Sequence, residues 1–370
     1  MSDSDLFTAR IAELVELSES VFDSCLLPNG CLVAAPSHLD LYPSTAKSYL
    51  YCWPGRDLGF ALVALEALGR SVRQPLLRWI WERAEDFQQT GLLYEEYHPN
   101  GPRRGSEWQP DQSGALLWAL CRQPDQSDEL EVEVVRKLAD GLAGQWDGEQ
   151  FVVRHRDLWE RRFASPRHGT NFTYTLAATA KGLSLAAETY HVELWERCAR
   201  EMIGRIEHGW SDAAGYYLRR FGPVGDDPIL DASLIGLAWP FDLALDDEHV
   251  RATVAQVDDQ LMSNLGVYRY LFDGYDGEVE RIGAELRQGA GAWPLLTFWL
   301  ALVQHRLGNP ARALEIYRIG VENIAPDGYI PEQVFPAGDS RIGVRPLLWS
   351  HMMFVLATLE LRILPDRSTP

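Results

Sequence analysis

Residues 173–207 decide the fold: TYTLAATAKGLSLAAETY, followed directly by HVELWERCAREMIGRIE. From Thr173 to Ala187 the residues are small or apolar on nearly every side. From His191 to Glu207 apolar residues recur at helical spacing, with charged residues between them. A helix that is apolar all round must be enclosed, whereas an amphipathic one can form an outer surface. The pair therefore reads as one inner helix and one outer helix.

Outward from this pair the same alternation recurs. Apolar helical stretches fall at 58–68, 113–120, 173–187, 232–237, 293–307 and 346–361. Amphipathic stretches fall at 6–22, 73–88, 128–142, 191–207, 249–261 and 310–323. Twelve helices in six pairs predict an all-α fold, an (α/α)6 toroid of six inner and six outer helices. Its annular core allows one domain over residues 1–370, beyond the size at which a solid core stops growing. Asn29-Gly30, Asp147-Gly148 and Ala214-Gly215 predict a few short β-hairpins. Strands do not alternate with helices, so no parallel sheet is expected.

The net charge of -19 opposes partnership with nucleic acid or an anionic membrane surface. Five scattered cysteines, without metal-ligand spacing, suggest neither a disulfide framework nor a metal site. The acidic start Met1-Ser-Asp-Ser-Asp has no basic or apolar leader character, and no apolar run is long enough to cross a bilayer. The expected address is a reducing cytoplasm, where the sequon Asn171-Phe172-Thr173 carries no meaning. No feature of the sequence sets an oligomeric state.

In a toroid the loops that precede the inner helices gather at one mouth. Here those loops hold Trp53, Arg56 and Asp57; Glu107, Trp108, Gln109 and Asp111; Trp159 and Glu160; Asp231; Tyr268, Arg269, Tyr270 and Trp293; Glu332, Gln333, Trp349 and His351. The loops of the opposite side, such as Gly69-Arg70 and Gly308-Asn309, are short and plain. Aromatic faces with arginines and carboxylates suit a small oligosaccharide: rings stack on rings, and charged groups bind hydroxyls directionally. Two carboxylates distant in sequence can act on a glycosidic bond, one as acid and one as base. A separation of about 6.5–9.5 Å gives inversion, and one of about 5–5.5 Å retention. Such hydrolysis needs no metal or other cofactor.

With these residues assembled, the chain resembles glycoside hydrolase family 15, the glucoamylase-like enzymes, from about Tyr49 to Leu361. Tyr49-Leu50-Tyr51-Cys52-Trp53-Pro54-Gly55-Arg56-Asp57 is similar to the family's Trp-x-Arg-Asp loop. Asp157-Leu158-Trp159-Glu160 resembles its general-acid motif. Asp231-Ala232 and Tyr268-Arg269-Tyr270 resemble two sugar-contact motifs. Gly328-Tyr329-Ile330-Pro331-Glu332-Gln333, with Pro346-Leu347-Leu348-Trp349-Ser350-His351, resembles the general-base segment. The resemblance implies Glu160 as acid and Glu332 as base. Arg56 and Asp57, helped by Arg269, would hold a terminal glucose. Trp53, Trp108 and Trp159 would wall the pocket, with Gln109, Asp111, Tyr270, Trp293 and Trp349 around it.

This chain departs from the family pattern at two places. One extra residue stands between Trp53 and Arg56. Arg161 occupies the position where many relatives carry a second carboxylate after the acid. Arg161 and Arg162 would lower the pKa of Glu160 if they approached it, so they are expected to point away. Neither a β-sandwich ahead of the barrel nor a starch-binding module is expected. This compactness, with the cytoplasmic address, leads to short imported oligosaccharides and to the isomaltose glucohydrolase type.

Other readings stand beside this one. Asp57, Asp111 and Asp231 sit at helix starts, where a cap would also place Asp. Trp293 and Trp349 are expected in the wall or the core, and Glu95 and Glu96 in solvent. His168 and His351 are expected to be structural, but a sugar epimerase would use such a pair to move protons. A family 15 trehalase and a non-catalytic carbohydrate-binding scaffold are the remaining alternatives.

Overall fold

The computed structural model describes residues 3–36, 49–273, 290–337 and 343–364. Its outer helices are Asp3–Cys25, Arg73–Arg83, Glu129–Ala143, Glu193–Glu207, Asp247–Leu261 and Pro310–Glu322. The inner elements are Arg56–Ala67, Pro110–Cys121, Thr173–Tyr190, Ala232–Leu237, Pro294–Arg306 and Leu348–Glu360. Each inner element packs on the next, and Leu348–Glu360 returns to Arg56–Ala67. The ring is closed, and the fold is an (α/α)6 toroid.

Local chemistry explains the boundaries. The Asp128 carboxylate accepts the amides of Leu130 and Glu131 at 3.0 and 3.2 Å. Asp246 does the same for Glu248 and His249. Both satisfy amides that an α-helix start leaves unpaired. Pro110, Pro294 and Pro310 open their helices, where a missing N–H costs nothing. The stretch expected as one helix over 73–88 breaks after Arg83. Asp86 and Gly91 take left-handed conformations at φ 64 and 69, and Phe87–Thr90 forms a separate turn. The fourth inner element, Ala232–Leu237, is a 3-10 helix of six residues.

The inner helices are rich in small residues because they touch backbone to backbone. A Cβ on Gly114 would lie 2.5 Å from the Ala178 carbonyl, and one on Gly182 would lie 2.5 Å from the Gly114 oxygen. Aromatic rings fill the middle of the ring. Phe60 sits 5.3 Å from Trp118, 5.4 Å from Trp299 and 5.4 Å from Trp349, centre to centre. Trp239 closes on Trp118 and Trp299 edge to face. Several of the tryptophans are thus core.

The three expected hairpin turns are present, with pairing at Leu26–Leu32, Trp146–Phe151 and Trp210–Tyr217. A further hairpin pairs His155 with Ala164 and Arg156 with Phe163.

His351 ties three segments together. The Ile330 amide donates to its Nε2 at 2.9 Å, and its Nδ1 lies 2.8 Å from Ser18 Oγ. Ser18 Oγ donates to the Leu14 carbonyl, so the ring proton belongs on Nδ1. Ser350 Oγ donates to the Pro331 carbonyl at 2.9 Å. The segment carrying Glu332 is therefore bolted to one inner and one outer helix. His351 is fully buried, and burial pushes its pKa from 6.5 down to about 3. Its contribution to stability is therefore complete above the unfolded pKa of about 6.5 and is lost as pH falls through that value toward the folded pKa. His351→Gln is expected to cost about 1–3 kcal/mol at neutral pH. It should also reduce the drop in thermal midpoint between about pH 7 and about pH 4, compared with the unmodified protein. Equal drops in the two proteins would contradict this.

Candidate active site

The hairpin His155–Arg156/Phe163–Ala164 carries Asp157, Leu158, Trp159 and Glu160 at its tip. Glu160 therefore stands well ahead of the Thr173 helix, not at its start. Asp157 builds the turn: its Oδ1 accepts the amides of Arg161 and Arg162 at 2.8 and 2.9 Å, and its Oδ2 accepts Arg162 NH1 at 3.0 Å. Glu160 takes a left-handed conformation, φ 60, within it. Consequently the adjacent side chains of Trp159 and Glu160 are held by different walls. Trp159 Nε1 donates to both Asp231 oxygens, at 2.9 and 3.1 Å. Glu160 Oε1 accepts Trp53 Nε1 at 2.7 Å and meets Arg56 NH1 at 3.4 Å.

Arg56 opens its inner helix. Its Nε donates to Asp57 Oδ1 at 3.0 Å and its NH1 to the Leu158 carbonyl at 2.9 Å, and it lies 4.9 Å from the Trp349 ring centre. The loop before it is fixed by Gln112, whose Oε1 accepts the amides of Gly55 and Arg56 at 2.9 and 3.0 Å. Only glycine fits at 55, because a Cβ there would lie 1.9 Å from the Gln112 oxygen. The extra residue in this loop is thus absorbed by close packing, and Trp53 still reaches Glu160.

Glu332 is brought to the same loop. Tyr49 donates to Glu332 Oε1 at 2.9 Å, and its ring lies 6.0 Å from that of Trp53. Two glutamates 172 positions apart in number are therefore each hydrogen-bonded to the segment Tyr49–Trp53. Glu332 is 5 % exposed, and the Glu160 side chain is 24 % exposed.

Burial raises the pKa of Glu160 against the opposing charge of Arg56; Glu96 and Asp57 add to the rise. Arg162 faces elsewhere, toward Asp157, Asp227 and the Tyr270 ring. Burial also pushes Asp111 up to about 7, again against Arg56. Arg269 is clamped by Asp273 at 2.7 and 2.8 Å and lies over the rings of Trp159, Trp293 and Tyr270. Gln109 Nε2 supports the hairpin through the Asp157 carbonyl at 3.0 Å. Trp108 is 1 % exposed and packs edge-on against Phe151, beneath the hairpin. A cavity with room for about one water is lined by Leu158, Trp159, Tyr174, Thr175, Arg219 and Asp231, but by neither glutamate.

Tyr49, Gln112 and Asp157 were not singled out by sequence. Asp157 does carry a signal, since a side chain that tolerates tight turns precedes Glu160 by three positions. Glu95, expected in solvent, is buried and accepts Arg156 NH1 at 2.9 Å. The histidine pair of an epimerase is not assembled, because His351 is buried in its own network while His168 is exposed. Among the described residues no group of His, Cys, Asp and Glu could hold a metal.

A family model described as glycosyl hydrolases family 15 matches residues 27–359. The chain belongs to that family. An uncharacterized glycosyl hydrolase of Methanocaldococcus jannaschii is 26% identical over 362 residues, 90% of this chain and 53% of that protein. The family 15 chain thus spans about half the length of that relative. An isomaltose glucohydrolase of Kribbella flavida is 26% identical over 307 residues, 77% of this chain and 73% of that protein. A solved wild-type glycosidase superposes with a TM-score of 0.76 at 23% identity, covering 99% of this chain and 100% of its own, a likeness of fold.

The turn chemistry predicts the effect of Asp157→Ala. It removes three hydrogen bonds at the hairpin tip and should cost about 1–3 kcal/mol in denaturant unfolding. Amide exchange at Arg161 and Arg162 should accelerate while core helices stay protected. Unchanged exchange there would mean that Asp157 does not hold the turn.

Proposed function

We propose that this family 15 chain is an inverting, exo-acting α-glucosidase. It would release β-glucose from the non-reducing end of short α-gluco-oligosaccharides, with isomaltose and its longer homologues favoured. The observation that carries this reading is the convergence of Glu160 and Glu332 on one loop, beside the buried Arg56–Asp57 pair.

The roles follow from the hydrogen bonds. Glu160 Oε1 accepts from Trp53 and Arg56, which leaves Oε2 to carry the proton for the leaving oxygen. Burial raises its pKa, the direction an acid needs. Glu332 accepts from Tyr49 and would serve as the base. Glu332 would take a proton from water as that water attacks the anomeric carbon, while Glu160 protonates the departing oxygen. Arg56 and Asp57 would hold hydroxyls of the terminal glucose. Trp53, Trp159, Trp293 and Trp349 would offer ring faces, with Arg269, Tyr270, Gln109 and Asp111 behind them.

The preference for isomaltose draws on the Kribbella flavida relative, which bears that name. A cytoplasmic site of action is part of the proposal: all five cysteines are free and buried, which suits a reducing compartment. Among the described residues no helix is long and apolar enough to cross a membrane.

The test is a panel of isomaltose, maltose, trehalose and longer glucans, read by free glucose and by the anomer formed first. Glucose from isomaltose, β-anomer first, is expected. The α-anomer first would overturn inversion, and preferential cleavage of trehalose would make the chain a trehalase. An altered sugar without cleavage would make it an epimerase. Glu160→Gln should lower kcat by about 10²–10⁴-fold with the thermal midpoint nearly unchanged. Full activity in that variant would remove Glu160 as the acid.

A further inference from the structure

Two charged residues at the hairpin have no part in the reaction as described. Arg156 NH1 donates to Glu95 Oε1 at 2.9 Å and to the main-chain oxygen of Glu160 at 3.0 Å. A left-handed non-glycine residue costs on the order of 1–3 kcal/mol and persists only where its surroundings over-determine it. Glu160 is such a residue. Asp157 fixes the amides that follow it, and Arg156 fixes its own carbonyl.

Glu95 is equally constrained. Its amide donates to the Glu107 carbonyl at 3.0 Å, and its carbonyl accepts Gln112 Nε2 at 2.6 Å. Gln112 is the residue that also fixes Gly55 and Arg56. One polar frame therefore sets Arg56 on one side of Glu160 and Glu95 on another.

We propose that Glu95 and Arg156 are a positioning pair for the general acid: Arg156 holds the Glu160 backbone, and Glu95 holds Arg156. The proposal rests on the reading of Glu160 as the acid. The charged groups that face Glu95 are Glu160, Arg156, Glu96 and Arg56. Those that face Glu160 are Arg56, Glu96 and Asp57, together with Glu95 and Asp111, while Glu96 is itself paired with Arg104 at 2.8 Å. Burial, then the charge of Glu160, pushes Glu95 up to about 8.

The experiment uses the full chain with two substrates, isomaltose and α-glucosyl fluoride. Fluoride departs with little help from an acid, so the second substrate reports an intact site when the acid is misplaced. Glu95→Gln, which weakens the hold on Arg156, is expected to lower kcat for isomaltose by about threefold or more, with fluoride hydrolysis kept. Arg156→Gln should lower kcat for isomaltose about tenfold or more. In that variant KM should change little and fluoride hydrolysis should be kept, and Arg156→Lys should recover part of the loss. An unchanged kcat for isomaltose in Glu95→Gln, or equal losses on both substrates in Arg156→Gln, would overturn the proposal. If Glu95→Gln does not fold, the two Arg156 variants decide it. Glu160→Gln run alongside separates the cases, since full activity on isomaltose there removes Glu160 as the acid.

Discussion

One buried guanidinium stands among three carboxyl groups, two buried and one half-buried. Arg56 contacts Asp57 and Glu160 directly and feels the charge of Asp111. A single cation cannot neutralise three anions in a site from which water is largely excluded. The charged forms of the carboxyls are therefore penalised, and burial is the leading cause of a raised pKa in all three. Protons stay where the charge balance puts them. The fold creates this shortage of positive charge by enclosing more carboxyls than arginines around Arg56. Arg162 and Arg219, which could have restored the balance, are occupied by Asp157 and Asp227 on the Tyr270 side of the hairpin.

The toroid makes that enclosure possible. Small residues let the inner helices meet backbone to backbone, as at Gly114 and Gly182. The aromatic cluster around Phe60 fills the axis between them. Arg56 and Trp349 lie at the starts of inner helices and join this cluster to the site through a cation–π contact. The loops at that end can then be long and polar because the helices beneath them are rigid. Their precision comes from side chains that hold backbone: Gln112 on Gly55 and Arg56, Asp157 on Arg161 and Arg162, His351 on Ile330.

The helical frame was legible because inner and outer helices obey different burial rules, and those rules write themselves as composition. Pro110–Cys121 is buried along its whole length and reads as apolar, whereas Glu129–Ala143 is buried on one face and reads as amphipathic. The site was legible only in outline. Glu160, Glu332, Arg56 and Asp57 came from the resemblance of local motifs. What binds them together did not, because hydrogen bonds such as Tyr49 to Glu332 join positions 283 apart and leave no periodicity in the chain. Glu95 looked solvated because sequence shows its charge but not the Arg156 that allows its burial. The 3-10 geometry of Ala232–Leu237 is likewise invisible in six apolar and small residues.

The positive φ of Glu160 explains how one hairpin serves two walls. In an extended strand Trp159 and Glu160 would point to opposite faces at a fixed angle set by the pleat. At φ 60 the chain turns between them instead, so Trp159 reaches Asp231 while Glu160 reaches Trp53. Each tether resists a different displacement of the tip, and neither alone would fix the carboxyl in both directions. A glycine at 160 would relax the backbone and remove the carboxyl that reaches Trp53. The side chain that meets Trp53 and Arg56 must therefore occupy the strained position itself, and the surrounding hydrogen bonds must offset that cost.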